Sequence, residues 1–448
     1  MLAAGPHGTK ASQHYIWACW SKSFNKNTND DFWSIMLWSF RSMFLGVWPS
    51  RDWRNVEYRP GSPEATRAGT PLAGGRKAIL CAVTGDLAWF NEFLYAPKST
   101  SLKPCVLCRA ERRGENTWHD HRDIAKWRAT NWTSDSWFAW ESRSQCALFS
   151  DPQRFVSCLF VHYDLMHCKY LGWEQHFYGS IFYVLTHDKM TGPTPLANLH
   201  TLARFIRRHQ KDHRVHTPYQ QTLGKLSMFV KKKDYPKLKG KASEIRWLGR
   251  AVEAAWAKFS GGESLENAQI HTLLRLNNKF EDILNAHDPS NGHFALPQRF
   301  ARELRECFMH LASVYEQLSD NFRASERKAF NITEKQPWQS TWQNMFMSLV
   351  FVMRTGLGTC DHANAFVFVF SLSLRKLSHR LHFTAHIVDM ACFVHPKLTW
   401  CFRGEDYMSK LGGLMKTCVR GVSRESASHK VAAKYRLAMH LAWKPNLR

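Results

Sequence analysis

The residues best suited to chemistry are, first, a pair of aspartates that each end an apolar run. Residues 78–83 lead through Thr84 and Gly85 into Asp86, and residues 155–163 lead into Asp164-Leu165-Met166-His167. Apolar runs of this length without period-2 alternation read as strands covered on both faces, as in the parallel or mixed sheet of an α/β domain. Ligands of such sheets sit at the strand ends. Two carboxylates side by side there repel each other unless a cation neutralises them, and hard divalent ions prefer oxygen ligands. The pairing points to a metal-dependent phosphoryl-transfer site. Taken singly, either aspartate reads as a turn former or helix cap.

Asp164 and His167 stand three apart, so a helix starting there would turn the carboxylate and the imidazole to one face. The plain alternative is a cap followed by a half-buried histidine. Between the aspartates, Cys105-Val106-Leu107-Cys108 is followed by His119-Asp120-His121. Cys-x2-Cys-x10-His-x-His supplies four donors within one loop, enough for tetrahedral Zn²⁺, and His167 or Cys168 could replace one of the histidines. The alternative is a pair of reduced cysteines in a turn. A third acid is needed if the aspartates hold catalytic metal. Glu405, in Gly404-Glu405-Asp406, opens a predicted helix, with Asp406 and Glu316 as rivals; either neighbour could simply complement the helix dipole.

The elements that must position these residues follow from the pattern along the chain. Residues 1–76 are a poorly defined Trp-rich region, and 77–190 hold the two runs with a Cys/His insertion at 104–123. Residues 191–330 read as a helical basic insertion, with Ile245, Leu248, Val252, Ala255, Trp256 and Phe259, and later Phe300, Leu304, Phe308, Leu311, Tyr315 and Leu318, at helical spacing. Residues 331–378 are irregular, and 379–448 read as C-terminal helices completing the core. In the helical block Arg204, Arg207 and Arg208 form one basic cluster and Lys231, Lys232 and Lys233 another.

The 448 residues carry 61 Lys+Arg against 37 Asp+Glu, a formal net charge of +24. The expected partner is a polyanion, DNA or RNA before an anionic membrane surface. The longest apolar stretches, 32–48 and 362–374, are interrupted or too short for the roughly 20 residues of a membrane span, so no membrane role is expected. Twelve cysteines without small-scaffold spacing are not a disulfide framework and suit a reducing cytoplasm or nucleus.

In sequence order, Gly85-Asp86, Cys105-x2-Cys108, the box from His162 to His167, a long helical stretch and Gly404-Glu405-Asp406-Tyr407-Met408 resemble the CACTA-type (CMC superfamily) DDE transposases. In that family an RNase H-like sheet carries two aspartates, a Cys-x2-Cys follows the first, an Asp-x-x-His box carries the second, and a glutamate comes after a helical insertion. Residues 404–408 and 421–440 also look like the C-terminus of a transposon-derived kind repeated in protist genomes. The resemblance covers residues 78–448. It implies an α/β fold, an RNase H-like mixed sheet interrupted by a large all-helical insertion, with a small Cys/His-rich insertion. The implied activity is Mg²⁺-dependent (or Mn²⁺-dependent) cleavage and strand transfer on transposon-end DNA, with Asp86, Asp164 and Glu405 holding the metal.

On this reading His167 orients Asp164 or contacts the scissile phosphate, the basic helical block grips DNA, and the protein is nuclear. A homo-oligomer is left open. The competing readings are a catalytically inactive transposon-derived nucleic-acid-binding protein with a structural zinc, and a zinc-stabilised RNA-binding protein whose acids are structural.

Overall fold

The computed structural model describes residues 25–98, 101–141, 143–151, 154–221, 223–230, 235–289, 294–330 and 378–402, with scattered helical positions between 426 and 437. Glu405, Asp406, Lys231, Lys232, Lys233 and the phenylalanine-rich run 366–370 lie outside the described residues.

The described chain is rich in helix and carries one two-stranded parallel sheet, β1 (Val83–Gly85) paired with β2 (Val161–Tyr163). The helices are α1 (Lys26–Leu45), α2 (Pro63–Arg67), α3 (Leu87–Phe93), α4 (Ser134–Phe138), α5 (Glu174–Val184), α6 (Pro195–Asp212), α7 (Ala242–Arg246), α8 (Gly249–Phe259), α9 (Leu265–Ala286), α10 (Gln298–Ala324) and α11 (Ser378–Asp389). Among the described residues no helix is long and apolar enough to cross a membrane.

A larger mixed sheet of the RNase H kind is not present among the described residues. Both expected strands shorten to three residues for local reasons. Residues 78–82 run along the rim, with Ile79 69% exposed, so among the described residues nothing there covers a second face. Ahead of β2, Cys158–Phe160 coil into a 3₁₀ turn capped by Ser157. The three residues of β2 itself are fully buried, as expected for a strand covered on both sides.

The helical block follows the apolar spacing closely. Along α10 the buried positions Leu304, Cys307, Phe308, Leu311, Tyr315, Leu318 and Phe322 recur every three or four residues and pack mainly against α9. On α8, Val252, Ala255 and Trp256 face α6 and α9. Start signals are explicit in the sequence. Thr194 caps α6 with Pro195 at its first position, and Ser264 caps α9 through the Asn267 amide.

At the other end, α1 stops at Gly46, whose φ of 73° is left-handed; a Cβ there would meet the Gly75 carbonyl at 3.2 Å. Helix α1 docks on the end of α3 through Asn29 Nδ2 and Trp33 Nε1, which both donate to the Phe93 carbonyl at 2.9 Å.

Two elements carry the site. After β2 the chain enters a π-helical turn, Met166–Trp173, that runs into α5. Such turns are uncommon and gather at functional sites. Gly172 permits it, since a Cβ there would approach the His167 carbonyl to 2.9 Å. Helix α11 packs on this turn, on β2 and on α10. At its C-terminal end Asp389 accepts from Arg128 Nη1 at 2.6 Å and Arg305 Nε at 2.8 Å, which fastens the Cys/His insertion to the helical block.

Candidate metal centre and strand-end site

Cys105 and Cys108 sit in one tight turn. The Leu107 amide donates to Cys105 Sγ and the Ala110 amide to Cys108 Sγ, each at 3.4 Å, as a turn presenting two thiolates requires. Facing them from α11 are His382 and His386, four residues apart and therefore on one helix face. Cys105 Sγ lies 3.4 Å from His386 Nε2, and Cys108 Sγ lies 3.4 Å from His382 Nε2. All four ligand atoms fall within 4.8 Å of one another, and all four residues are buried.

A tetrahedral ion with Zn–S of about 2.3 Å and Zn–N of about 2.0–2.1 Å needs S···N edges of roughly 3.6 Å, so the donor set fits a closed Cys₂His₂ zinc centre. Trp127 walls it, with its ring centroid 4.3 Å from that of His382 and 5.2 Å from that of His386.

The electrostatics agree. Burial alone raises both thiols; the hydrogen bond between Cys105 and Cys108, with the imidazoles of His386 and His382, brings Cys105 well below the usual thiol range and leaves Cys108 well above it. One thiolate is thus already favoured in the cage. Burial also lowers His382, keeping the ring neutral as a ligand must be.

The expected ligands His119 and His121 are replaced by His382 and His386. Cys105 and Cys108 take the predicted place, but the two histidines of the loop fall outside the cluster. His-x-His in a loop does not converge on the cysteine turn, whereas the i, i+4 pair on α11 does. His121 is buried with both ring nitrogens unbonded, and burial lowers it to about 3; His119 is lowered to about 4 by burial and then by Arg112. Cys168, buried within the π turn, is pushed up by burial and belongs to no ligand group among the described residues.

Asp86 and Asp164 each stand one residue past the last paired positions of β1 and β2, Gly85 and Tyr163. Both also act as caps. Asp86 accepts from the Trp89 amide at 2.6 Å. Asp164 Oδ1 accepts from the Met166 amide at 2.9 Å, Oδ2 from the His167 amide at 3.3 Å, and His167 Nδ1 hydrogen-bonds Oδ2.

A third residue joins them that sequence reasoning missed. The Cys401 amide donates to Asp164 Oδ1 at 2.9 Å, and Asp164, His167 and Cys401 present ligand atoms within 4.8 Å of one another. The Cys401 thiol is raised by burial, then by Asp164, with Asp86 adding a smaller push.

The two sites share a wall. Tyr163, the last residue of β2, donates its hydroxyl to Cys105 Sγ at 3.6 Å and stacks on Phe383 of α11 at 4.1 Å between centroids. The centre thus holds the strand immediately before Asp164.

Glu316 lies elsewhere, on α10 beside Asp120 and Arg122, raised by burial and by Asp320. Arg204, Arg207 and Arg208 are exposed on α6.

His382-x3-His386 was a usable sequence signal, because that spacing is the helical half of a Cys₂His₂ site. Cys401 offered none. No family model matches the chain, nor does any curated protein or solved structure.

Proposed function

We propose that this chain is the catalytic region of a nuclear, CACTA-type DDE transposase acting on transposon-end DNA. The observation that best supports this is the matched position of Asp86 and Asp164 at the ends of adjacent parallel strands. On this reading the two strands are the part of an RNase H-like sheet that carries the acids. Mg²⁺ or Mn²⁺, when bound by Asp86, Asp164 and Glu405, supplies the Lewis acid that activates water and then a DNA 3′-hydroxyl for in-line attack on a phosphodiester.

The chain's own residues do the positioning. The Met166 and Cys401 amides fix the Asp164 carboxylate. His167 hydrogen-bonds its other oxygen and orients it. The exposed arginines of α6 and the lysines at 231–233 neutralise backbone phosphates without regard to sequence. The Cys₂His₂ centre locks the cysteine turn against α11 and so supports β2. A homo-oligomer is compatible with this reading.

The test is nicking of a DNA panel that includes the element's own ends, in Mg²⁺ and in Mn²⁺. The parent chain should nick. Asp86→Asn, Asp164→Asn and Glu405→Gln should each keep DNA binding while losing more than about 100-fold in cleavage, since even an outer-shell partner of a metal costs 10–100-fold. Loss in Asp406→Asn with retention in Glu405→Gln would move the third acid by one residue.

A second reading is favoured by one observation: both aspartates already accept backbone hydrogen bonds as caps, the structural role such residues have without metal. DNA binding with no nicking by the parent chain would select the inactive nucleic-acid-binding protein with a structural zinc.

A further inference from the structure

Asp164 and His167 come from the turn after β2, while Cys401 arrives from a stretch more than two hundred residues later, and the three donors still converge. We propose that they form a second metal site, one that takes Zn²⁺ and keeps a position open to solvent. This goes beyond the transposase reading, with which it shares Asp164 and the His167 that orients it.

The donor set names the ion. A thiolate beside an imidazole and a carboxylate is a poor match for Mg²⁺, which demands oxygen in octahedral array. Soft and borderline ligands select zinc-like ions. Three protein ligands with the fourth position left to water is the pattern of reactive zinc, and four buried ligands that of structural zinc. The chain would hold one of each.

The arrangement is held from both sides before any ion enters. Thr84, on β1, donates its hydroxyl to the Thr399 carbonyl at 2.6 Å, which pins the stretch carrying Cys401 against the sheet. The Cys401 and Met166 amides occupy Asp164 Oδ1 and leave Oδ2 turned toward His167. Zinc bonds of about 2.0–2.3 Å need donors roughly 3.2–3.8 Å apart, so no separation need close by more than about an ångström, while the hydrogen-bonded His167 and Asp164 pair opens to admit the ion, both within reach of side-chain rotation.

Access differs from ligand to ligand in the way an open site requires. The Asp164 side chain is 1% exposed and that of His167 is 25% exposed. Cys401 is likewise only partly covered. The ion would bind with loss of the Cys401 thiol proton to solvent and with the carboxylate and a neutral imidazole as the remaining ligands.

The experiment is a metal count on the full-length chain, loaded with Zn²⁺ or Co²⁺ and freed of excess ion. The parent should retain two equivalents. Cys401→Ser, a one-atom change, should retain one, with an unchanged far-UV spectrum and with the cobalt-thiolate absorption reduced but present. His167→Ala should do the same. One equivalent or none in the parent, or two in Cys401→Ser, would overturn the proposal. Because the readout involves no DNA, it can fail while nicking succeeds, and the reverse.

Discussion

Two clusters of side chains able to ligate metal meet at Tyr163, which touches Cys105 of one and precedes Asp164 of the other, and they are built to opposite plans. The Cys₂His₂ cluster is closed: four buried donors, two from a turn and two from one helix face, with Trp127 against both imidazoles. The Asp164, His167 and Cys401 cluster is open, with one buried carboxylate and two partly covered partners. Closure spends every coordination position on holding the chain together. An open site gives up that stabilisation to leave a place for a reacting group. The difference predicts that the first cluster matters most to the fold and the second most to chemistry.

The largest effect should come from breaking the closed centre. Cys105 and His386 are 281 residues apart in sequence, so an ion between them closes a long loop and clamps α11 to the insertion. Metal-binding free energy at such a site is folding free energy. Cys105→Ser should cost on the order of 5 kcal/mol, comparable with the whole stability of an ordinary domain. Thermal melts should show a large fall that chelator reproduces in the parent and does not deepen in the variant. A melting temperature within two or three degrees of the parent would mean that the four residues are only packed together.

A smaller loss should follow from the charges beneath the open site. Lys169, two residues beyond His167, is fully buried between Glu174 Oε1 at 3.1 Å and Glu281 Oε1 at 2.9 Å. Arg246 Nε holds Glu281 Oε2 at 3.0 Å. Burial raises Glu174, whereas the cations Lys169 and Arg246 outweigh burial at Glu281 and keep it low. Lys169→Met would leave Arg246 and the Tyr170 hydroxyl on Glu281 and only the neutral Tyr178 and Asn277 donors on Glu174, at a cost of about 3–5 kcal/mol, and Lys169→Met with Glu174→Gln should recover part of it. Zinc at the closed centre should stay. A cost below about 1 kcal/mol for Lys169→Met would mean that this network does not hold the π turn.

What was legible in the sequence follows how local the cause is. The helices of the basic block could be read because apolar spacing and caps such as Thr194 and Ser264 act within a turn or two. The aspartate after each strand could be read for the same reason, and so could the cysteine turn. The strand lengths were not legible: residues 78–82 are as apolar as a buried strand, yet among the described residues no layer covers them and Ile79 is exposed. The partners of Cys105 were missed because the nearer histidines, His119 and His121, satisfied the spacing, while helix α11 reaches the turn only through tertiary packing. Cys401 has no local signal at all; it meets Asp164 because Thr84 pins the chain two residues before it.

The smallest effect should separate the two clusters by pH. His395 begins the stretch that carries Cys401, is fully buried, and accepts the Lys397 amide on Nδ1 at 3.0 Å. Burial, with a lesser push from the Lys397 ammonium, lowers it to about 4. In the unfolded chain it returns to about 6.5. Above that value it takes no proton in either state and its contribution is complete. As pH falls from about 6.5 toward 4 the unfolded chain takes up a proton that the folded chain refuses, so stability declines, by about 1.4 kcal/mol at pH 5.5 and about 3 kcal/mol below pH 4. Acid also protonates the ligands of the closed centre, but excess Zn²⁺ opposes that by mass action. Denaturant unfolding in excess zinc at pH 7.5 and 5.5 should therefore leave a pH dependence that His395→Asn, whose amide oxygen can accept the same Lys397 amide, reduces by about 1.4 kcal/mol. An unchanged difference between the two pH values would place the acid sensitivity at the closed centre and leave the root of the Cys401 stretch indifferent to pH.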